Sequence, residues 1–139
     1  MAGYSKTPLW KKLGYKDQVV AYVEGAPFTY LDALDLPAQI NVRWAKTPSR
    51  GIGLVHLFTE SKNKLIARLP VFRKTVADDA MIWVSWPKKS SGRTTDLTED
   101  RIREIALPLG LVDIKVCAID ETWSGLKLMI RRELRKSRS

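Results

Sequence analysis

The residues best suited to chemistry fall in one polar stretch, Trp86-Pro87-Lys88-Lys89-Ser90-Ser91-Gly92-Arg93-Thr94-Thr95-Asp96. Three cations sit among small hydroxyl residues just ahead of a helical pattern, and such a loop can hold a phosphate or carboxylate through charge-assisted hydrogen bonds. Asp96, Glu99 and Asp100 already bring negative charge to that helix start, so its dipole alone does not recruit an anion. Lys88, Lys89 and Arg93 must do so. The alternative is a solvated loop whose lysines keep it soluble.

A second cluster is Asp120-Glu121-Thr122-Trp123-Ser124, with paired carboxylates, an indole and a hydroxyl on one connection. Two carboxylates can share a proton or hold a cation. Asp and Ser also close turns through local hydrogen bonds, and a tryptophan such as Trp123 covers a sheet edge. No nucleophile and base pair is identified by spacing. His56 lies inside an apolar run and reads as a hydrogen-bonded core residue, while Cys117 has no CxxC partner. One cysteine and one histidine exclude an intrachain disulfide framework and a His/Cys zinc site, but not a carboxylate metal site.

Positive charge is abundant but unevenly placed. The 139 residues hold 24 Lys and Arg against 15 Asp and Glu, a balance of +9. Lys6, Lys11, Lys12 and Lys16 face no acid near the start. Arg131, Arg132, Arg135, Lys136 and Arg138 face only Glu133 at the end, so the two segments carry +4 each and the body only +1. This pattern suits either a nucleic-acid-binding module built on the termini or a solubilising end and a basic tail, here residues 131–139. The tail has no interleaved aromatics to stack bases.

These clusters need a scaffold, and an apolar content of 45% supports a packed core in one domain, residues 1–130. Thr7 as cap, Pro8 at the first helical position and Gly14 as left-handed stop predict a short helix docked by Leu9, Trp10 and Leu13. A strand is expected over residues 18–23, a short helix over 29–35 and a second strand over 39–44. Two nearly continuous apolar runs, residues 52–58 and 80–86, read as central strands buried on both faces. Between them Ser61 caps a helix with Leu65, Leu69, Phe72 and Val76 on one stripe and Pro70 as a kink. A further helix starts at either Asp96 or Thr98, presents Ile102, Ile105, Ala106 and Leu109 inward and stops at Gly110. Val112, Ile114, Val116 and Ala118 alternate with Asp113, Lys115 and Cys117, as Leu126, Leu128 and Ile130 do with Lys127, Met129 and Arg131, and the two segments read as a partly exposed terminal antiparallel pair.

The expected fold is therefore a Rossmann-like α/β sheet of about six mostly parallel strands, with that antiparallel pair and helices on both faces. Ligands in such sheets bind beyond the carboxyl ends of the strands. That rule selects residues 24–27, 59–61, 86–96 and 120–124. No apolar run is long enough to cross a bilayer and the N-terminal charges precede no apolar segment, so a cytoplasmic location without membrane attachment is expected.

Ala2-Gly3-Tyr4-Ser5, Thr7-Pro8-Leu9, the block from Trp86 to Gly92 running into Thr95-Asp96-Leu97-Thr98-Glu99-Asp100, and the block from Asp120 to Lys127 together resemble an uncharacterised bacterial family of small proteins, a domain of unknown function. That resemblance implies no activity, cofactor or catalytic residue. More distantly, the order of elements from Ile52 onward is similar to the C-terminal half of class I methyltransferases. Those enzymes carry a Gly-rich turn after the first strand for S-adenosylmethionine, whereas Glu24-Gly25-Ala26-Pro27 has one glycine and a proline.

The sequence thus points to a non-catalytic, methyltransferase-like domain that needs no cofactor. It would bind an anionic small molecule or partner through Trp86, Lys88, Lys89, Arg93, Glu121 and Trp123. The nucleic-acid alternative rests on Lys11, Lys12, Arg131, Arg132, Arg135, Lys136 and Arg138. A third reading is an atypical S-adenosylmethionine-dependent methyltransferase with its pocket around Gly25.

Overall fold

The structure is a computed structural model that describes residues 7–136. Lys6, Arg138 and the block Ala2-Gly3-Tyr4-Ser5 lie outside the described residues.

The elements follow in the order α1 (Leu9–Leu13), β1 (Val20–Glu24), α2 (Tyr30–Leu34), β2 (Arg43–Trp44), β3 (Leu54–Phe58), α3 (Lys62–Thr75), β4 (Met81–Pro87), α4 (Glu99–Ala106), β5 (Leu111–Ala118) and β6 (Trp123–Ile130). All six strands join one sheet in the order β2-β1-β3-β4-β6-β5. The first four run parallel, and β6 is antiparallel to both β4 and β5. This is the Rossmann-like α/β architecture expected from the pattern.

Every side chain of β3 is buried, and alternation sends them to two cores. Val55 and Leu57 pack with Leu65, Leu69 and Phe72 of α3 and Ile102 and Ala106 of α4, while Leu54 and Phe58 pack with α1 and α2 on the other face. The indole of Trp83 is buried on that second face, and its Nε1–H donates to the Leu13 carbonyl at 2.8 Å, docking the end of α1.

The helix boundaries follow from their caps. Ser61 Oγ accepts from the Lys64 N–H, and Asp96 accepts from the Lys62 N–H at 2.7 Å, so two side chains satisfy the first turn of α3. Asp96 is therefore used by α3, and Thr98 caps α4 through the Arg101 N–H. Pro70 lies within α3, which continues through it. Gly14 and Gly110 adopt the left-handed stop.

Several expectations are corrected. Pro8, not Thr7, is the N-cap of α1. The strand expected over residues 39–44 is reduced to Arg43–Trp44, both exposed. The partial exposure expected of the last pair falls on β5, where Ile114 is 48% and Val116 44% exposed. The reason is position: β5 is an edge strand, and a bulge between Asp113 and Lys115 shifts its register. Beyond β6, Leu134 packs on the first core, and the Arg135 guanidinium donates to the Ile130 carbonyl, so the basic C-terminal segment is held on the body as far as Lys136. No helix among the described residues is long and apolar enough to cross a membrane.

Candidate functional site at the carboxyl ends of the parallel strands

After β1 the chain moves outward to β2, then crosses back to place β3 on the other side of β1. The connections leaving β1 and β3 therefore diverge and open a crevice, the usual ligand position in such sheets. Its volume is about 430 Å³, and its walls include Glu24, Thr59, Ser61, Lys64, Arg93 and Trp123. An adjoining hollow of about 450 Å³ is lined by Trp86, Lys89, Arg93, Thr95, Leu97 and Glu99. Arg93 lines both.

Arg93 reaches this position through local turn chemistry. Lys89–Ser91 forms a single 3-10 turn, Gly92 follows with φ 75°, and the Arg93 N–H donates to Ser91 Oγ. The guanidinium then lies 5.1 Å from the ring centre of Trp123 and pairs with Glu60 at 2.9 Å. Trp123 is fixed from below, edge-on to Phe58 at 5.1 Å between ring centres. Asp120 closes the preceding turn by accepting from the N–H groups of Thr122 and Trp123, both at 2.8 Å. Backbone bonds latch the loops together: Lys88 N–H donates to Thr122 O, and Asp96 N–H to Glu60 O.

Of the residues selected from the sequence, Trp86, Lys89, Arg93 and Trp123 thus converge on the two hollows. Lys88 and Glu121 are on the same rim but line neither. Trp86 is 8% exposed, so it forms a floor. The basic termini are anchored at opposite ends of the sheet. The Lys12 ammonium donates to Ala118 O at the carboxyl end of β5, whereas Lys136 binds Asp78, just ahead of β4.

The crevice is closed on the β1 side. Glu24 receives a forked pair from Arg68 at 2.8 and 3.1 Å, a hydrogen bond from the Tyr22 hydroxyl at 2.7 Å, and Lys64 at 3.5 Å. Burial alone raises its pKa, but the Tyr22 and Arg68 bonds outweigh burial and hold the carboxyl below its ordinary value. Gly25 follows with φ 76°, and a Cβ there would stand 2.5 Å from the Phe58 carbonyl oxygen. The closest approach of this turn is therefore to the protein's own backbone.

Beneath the site runs a buried hydrogen-bonded chain. Tyr15 and Tyr30 hydroxyls are 2.7 Å apart, Tyr30 meets His56 Nδ1 at 2.8 Å, and His56 Nε2 meets Ser85 Oγ at 2.7 Å. His56 and Ser85 are fully buried. Burial pushes the imidazole down to about 3, so it is neutral at pH 7, and no substrate reaches it. Burial likewise raises both tyrosines and the Cys117 thiol above their ordinary values. Among the described residues, no group of three or more His, Cys, Asp or Glu could hold a metal.

The partners of Arg93 and Glu24 were not selected from the sequence. Glu60 is 33 residues from Arg93, and Arg68 is 44 from Glu24. Only strand order brings such residues together, although both acids lie in or beside the strand ends singled out in advance.

No family model matches this sequence, and no curated protein does. Solved structures do. A methyltransferase of Aquifex aeolicus described as S-adenosylmethionine-dependent aligns with TM-score 0.59 at 12% identity, over 86% of this chain and 86% of its own. An O-methyltransferase from neocarzinostatin biosynthesis, solved with S-adenosylmethionine and a naphthoic acid, gives 0.64 at 15% identity over 93% of this chain. The present chain spans about half of that protein, 51%. A ribosomal protein L11 methylase of Lactobacillus delbrueckii subsp. bulgaricus gives 0.54 at 11% identity, over 89% of this chain and 76% of its own. At these identities the likeness is one of fold, a methyltransferase-like α/β sheet.

Proposed function

We propose that this chain is a methyltransferase-like domain that binds an anionic small molecule, or an acidic group of a partner, at the carboxyl ends of β1, β3 and β4 without transferring a methyl group. Arg93 is the main contact. Lys88 and Lys89 add positive potential at the rim, Trp86 and Trp123 form apolar walls, and Glu121 borders the same rim. The observation that carries this reading is the position of Arg93, shared by two hollows and stacked on Trp123. Stacking holds the guanidinium plane before any ligand arrives, which lowers the entropy lost on binding. Glu60 engages Nε and Nη2 along one edge. That pair is half exposed, so it contributes at most about 1 kcal/mol, and an incoming carboxylate or phosphate can replace it.

The fold neighbours raise a second reading, binding of S-adenosylmethionine, and the residues after β1 fit that group poorly. Backbone amides and bare glycines let a cofactor approach a strand end closely. Here Gly25 is packed against Phe58 O, Pro27 has no N–H, and Glu24 is engaged by Arg68 and Tyr22. The end of β2, Arg43-Trp44-Ala45-Lys46, presents no carboxylate for a ribose. These features support a scaffold that has kept the sheet and lost the cradle.

We also read the chain as kin to the uncharacterised bacterial family noted above. Its blocks from Trp86 to Asp100 and from Asp120 to Lys127 all fold to this end of the sheet.

The experiment is calorimetric titration of citrate and of pyrophosphate into the native protein and into K88A/K89A/R93A. Measurable binding by the native protein, lost in the triple variant at an unchanged Tm, supports the proposal. Equal affinity in the two proteins, or none in either, rejects it.

A further inference from the structure

The opposite end of the sheet carries a different charge arrangement, independent of the proposed anion site. A hollow of about 400 Å³ at the amino ends of β3 and β4 is lined by Arg50, Lys74 and Lys136 with Asp78, Val76 and Ala77. The three cations come from three separate segments: the loop before β3, the last turn of α3 and the chain after β6. A helix dipole accounts for a lysine in the last turn of α3, but not for Arg50 or Lys136.

Among the described residues, five cations elsewhere are paired with acids. Lys64 and Arg68 pair with Glu24, Arg93 with Glu60, Arg103 with Glu99, Asp100 and Asp113, and Arg131 with Glu133. Neither Arg50 nor Lys74 makes an ion pair among the described residues, and both are exposed. Lys136 is drawn to the same hollow because its backbone N–H donates to Asp78. Arg135 is fixed next to it by the Ile130 carbonyl. The basic C-terminal segment is thus laid against two unpaired cations of the body, a juxtaposition that charge counts along the sequence do not show.

We propose that this face, centred on Arg50, Lys74 and Lys136, docks the phosphodiester backbone of a nucleic-acid duplex. Charge complementarity is the first ground, since exposed, uncompensated Lys and Arg gain by releasing counterions from a polyphosphate. The absence of any aromatic residue from the lining is the second. Single-strand sites stack bases on aromatic rings, whereas a predominantly cationic face without them engages phosphates and is indifferent to sequence. Cations at the rim of an open hollow can each reach a different phosphate, which suits a chain of phosphates better than one enclosed anion.

The test is fluorescence anisotropy of a labelled 20-base-pair duplex of arbitrary sequence, titrated with the full chain at several potassium chloride concentrations. Two variants of equal charge change are compared, R50A/K74A at this face and K46A/K115A elsewhere on the surface. Both change exposed side chains, and Tm confirms folding. For native protein, log affinity is expected to fall linearly with log salt. In R50A/K74A the slope should shrink by about 2 and the affinity at low salt should fall at least about tenfold. K46A/K115A should stay within about twofold of native. Equal losses in the two variants would reduce the effect to net charge and overturn the assignment, as would no binding by native protein. Tighter binding to phosphatidylserine vesicles than to the duplex would assign the face to a membrane surface instead.

Discussion

Arg93 lies 5.1 Å from the ring centre of Trp123 and, from that stacked position, reaches across to Glu60 at 2.9 Å. The indole flanks the guanidinium on one side, and Glu60 occupies the edge that the proposed anion would use. Under the proposed function, the protein's own carboxylate competes with that anion. Glu60→Gln removes the charge and keeps the size, so affinity for citrate should rise by about two- to fivefold, the equivalent of an exposed ion pair. Calorimetry reads this directly. A fall in affinity would mean that Glu60 positions Arg93 rather than competing for it.

The turn after β1 makes a second prediction possible. A Cβ at Gly25 meets the Phe58 carbonyl oxygen at 2.5 Å with φ at 76°, so Gly25→Ala should cost about 2 kcal/mol or more in unfolding free energy by denaturant titration. A glycine kept for the approach of a ligand would behave otherwise, with near-native stability and loss of binding only.

His56 links stability to pH. Its imidazole sits between Tyr30 and Ser85, fully buried, with a pKa lowered by burial from 6.5 to about 3. The folded protein thus holds the neutral form, and the unfolded chain takes up a proton first as pH falls. The stability this histidine contributes is complete above about pH 6.5 and is lost progressively down to about pH 3, at about 1.4 kcal/mol per pH unit. Between pH 7 and pH 5 native protein should lose about 2 kcal/mol from this group. His56→Phe should lack that component, and should cost about 1–3 kcal/mol at pH 7 by removing the partner of Ser85 Oγ and one of the two partners of the Tyr30 hydroxyl. Denaturant curves of both proteins at the two pH values check the sign and size.

The scaffold was more legible than the site. Two-faced apolar runs at residues 52–58 and 80–86 foretold central strands, and Ser61, Thr98, Gly14 and Gly110 marked helix ends, because these signals are local. The alternation of Val112, Ile114 and Val116 foretold a partly exposed pair, but it could not say which of its strands lies at the edge. Arg93 and Trp123 could be chosen from residue type and strand-end position. Their partners could not. Glu60 meets Arg93, and Arg50 meets Lys74 and Lys136, only after the sheet order 2-1-3-4-6-5 is imposed.

The most direct measurement is the thermal midpoint of the native protein with and without millimolar S-adenosylmethionine. A ligand at a hundred times its dissociation constant stabilises the folded state by about 2.7 kcal/mol, several degrees for a domain of this size. With the β1 turn closed on Phe58, the expected result is no shift, alongside an upward shift in citrate that K88A/K89A/R93A lacks. A reproducible rise with S-adenosylmethionine would contradict the account and return the protein to the cofactor-binding methyltransferases.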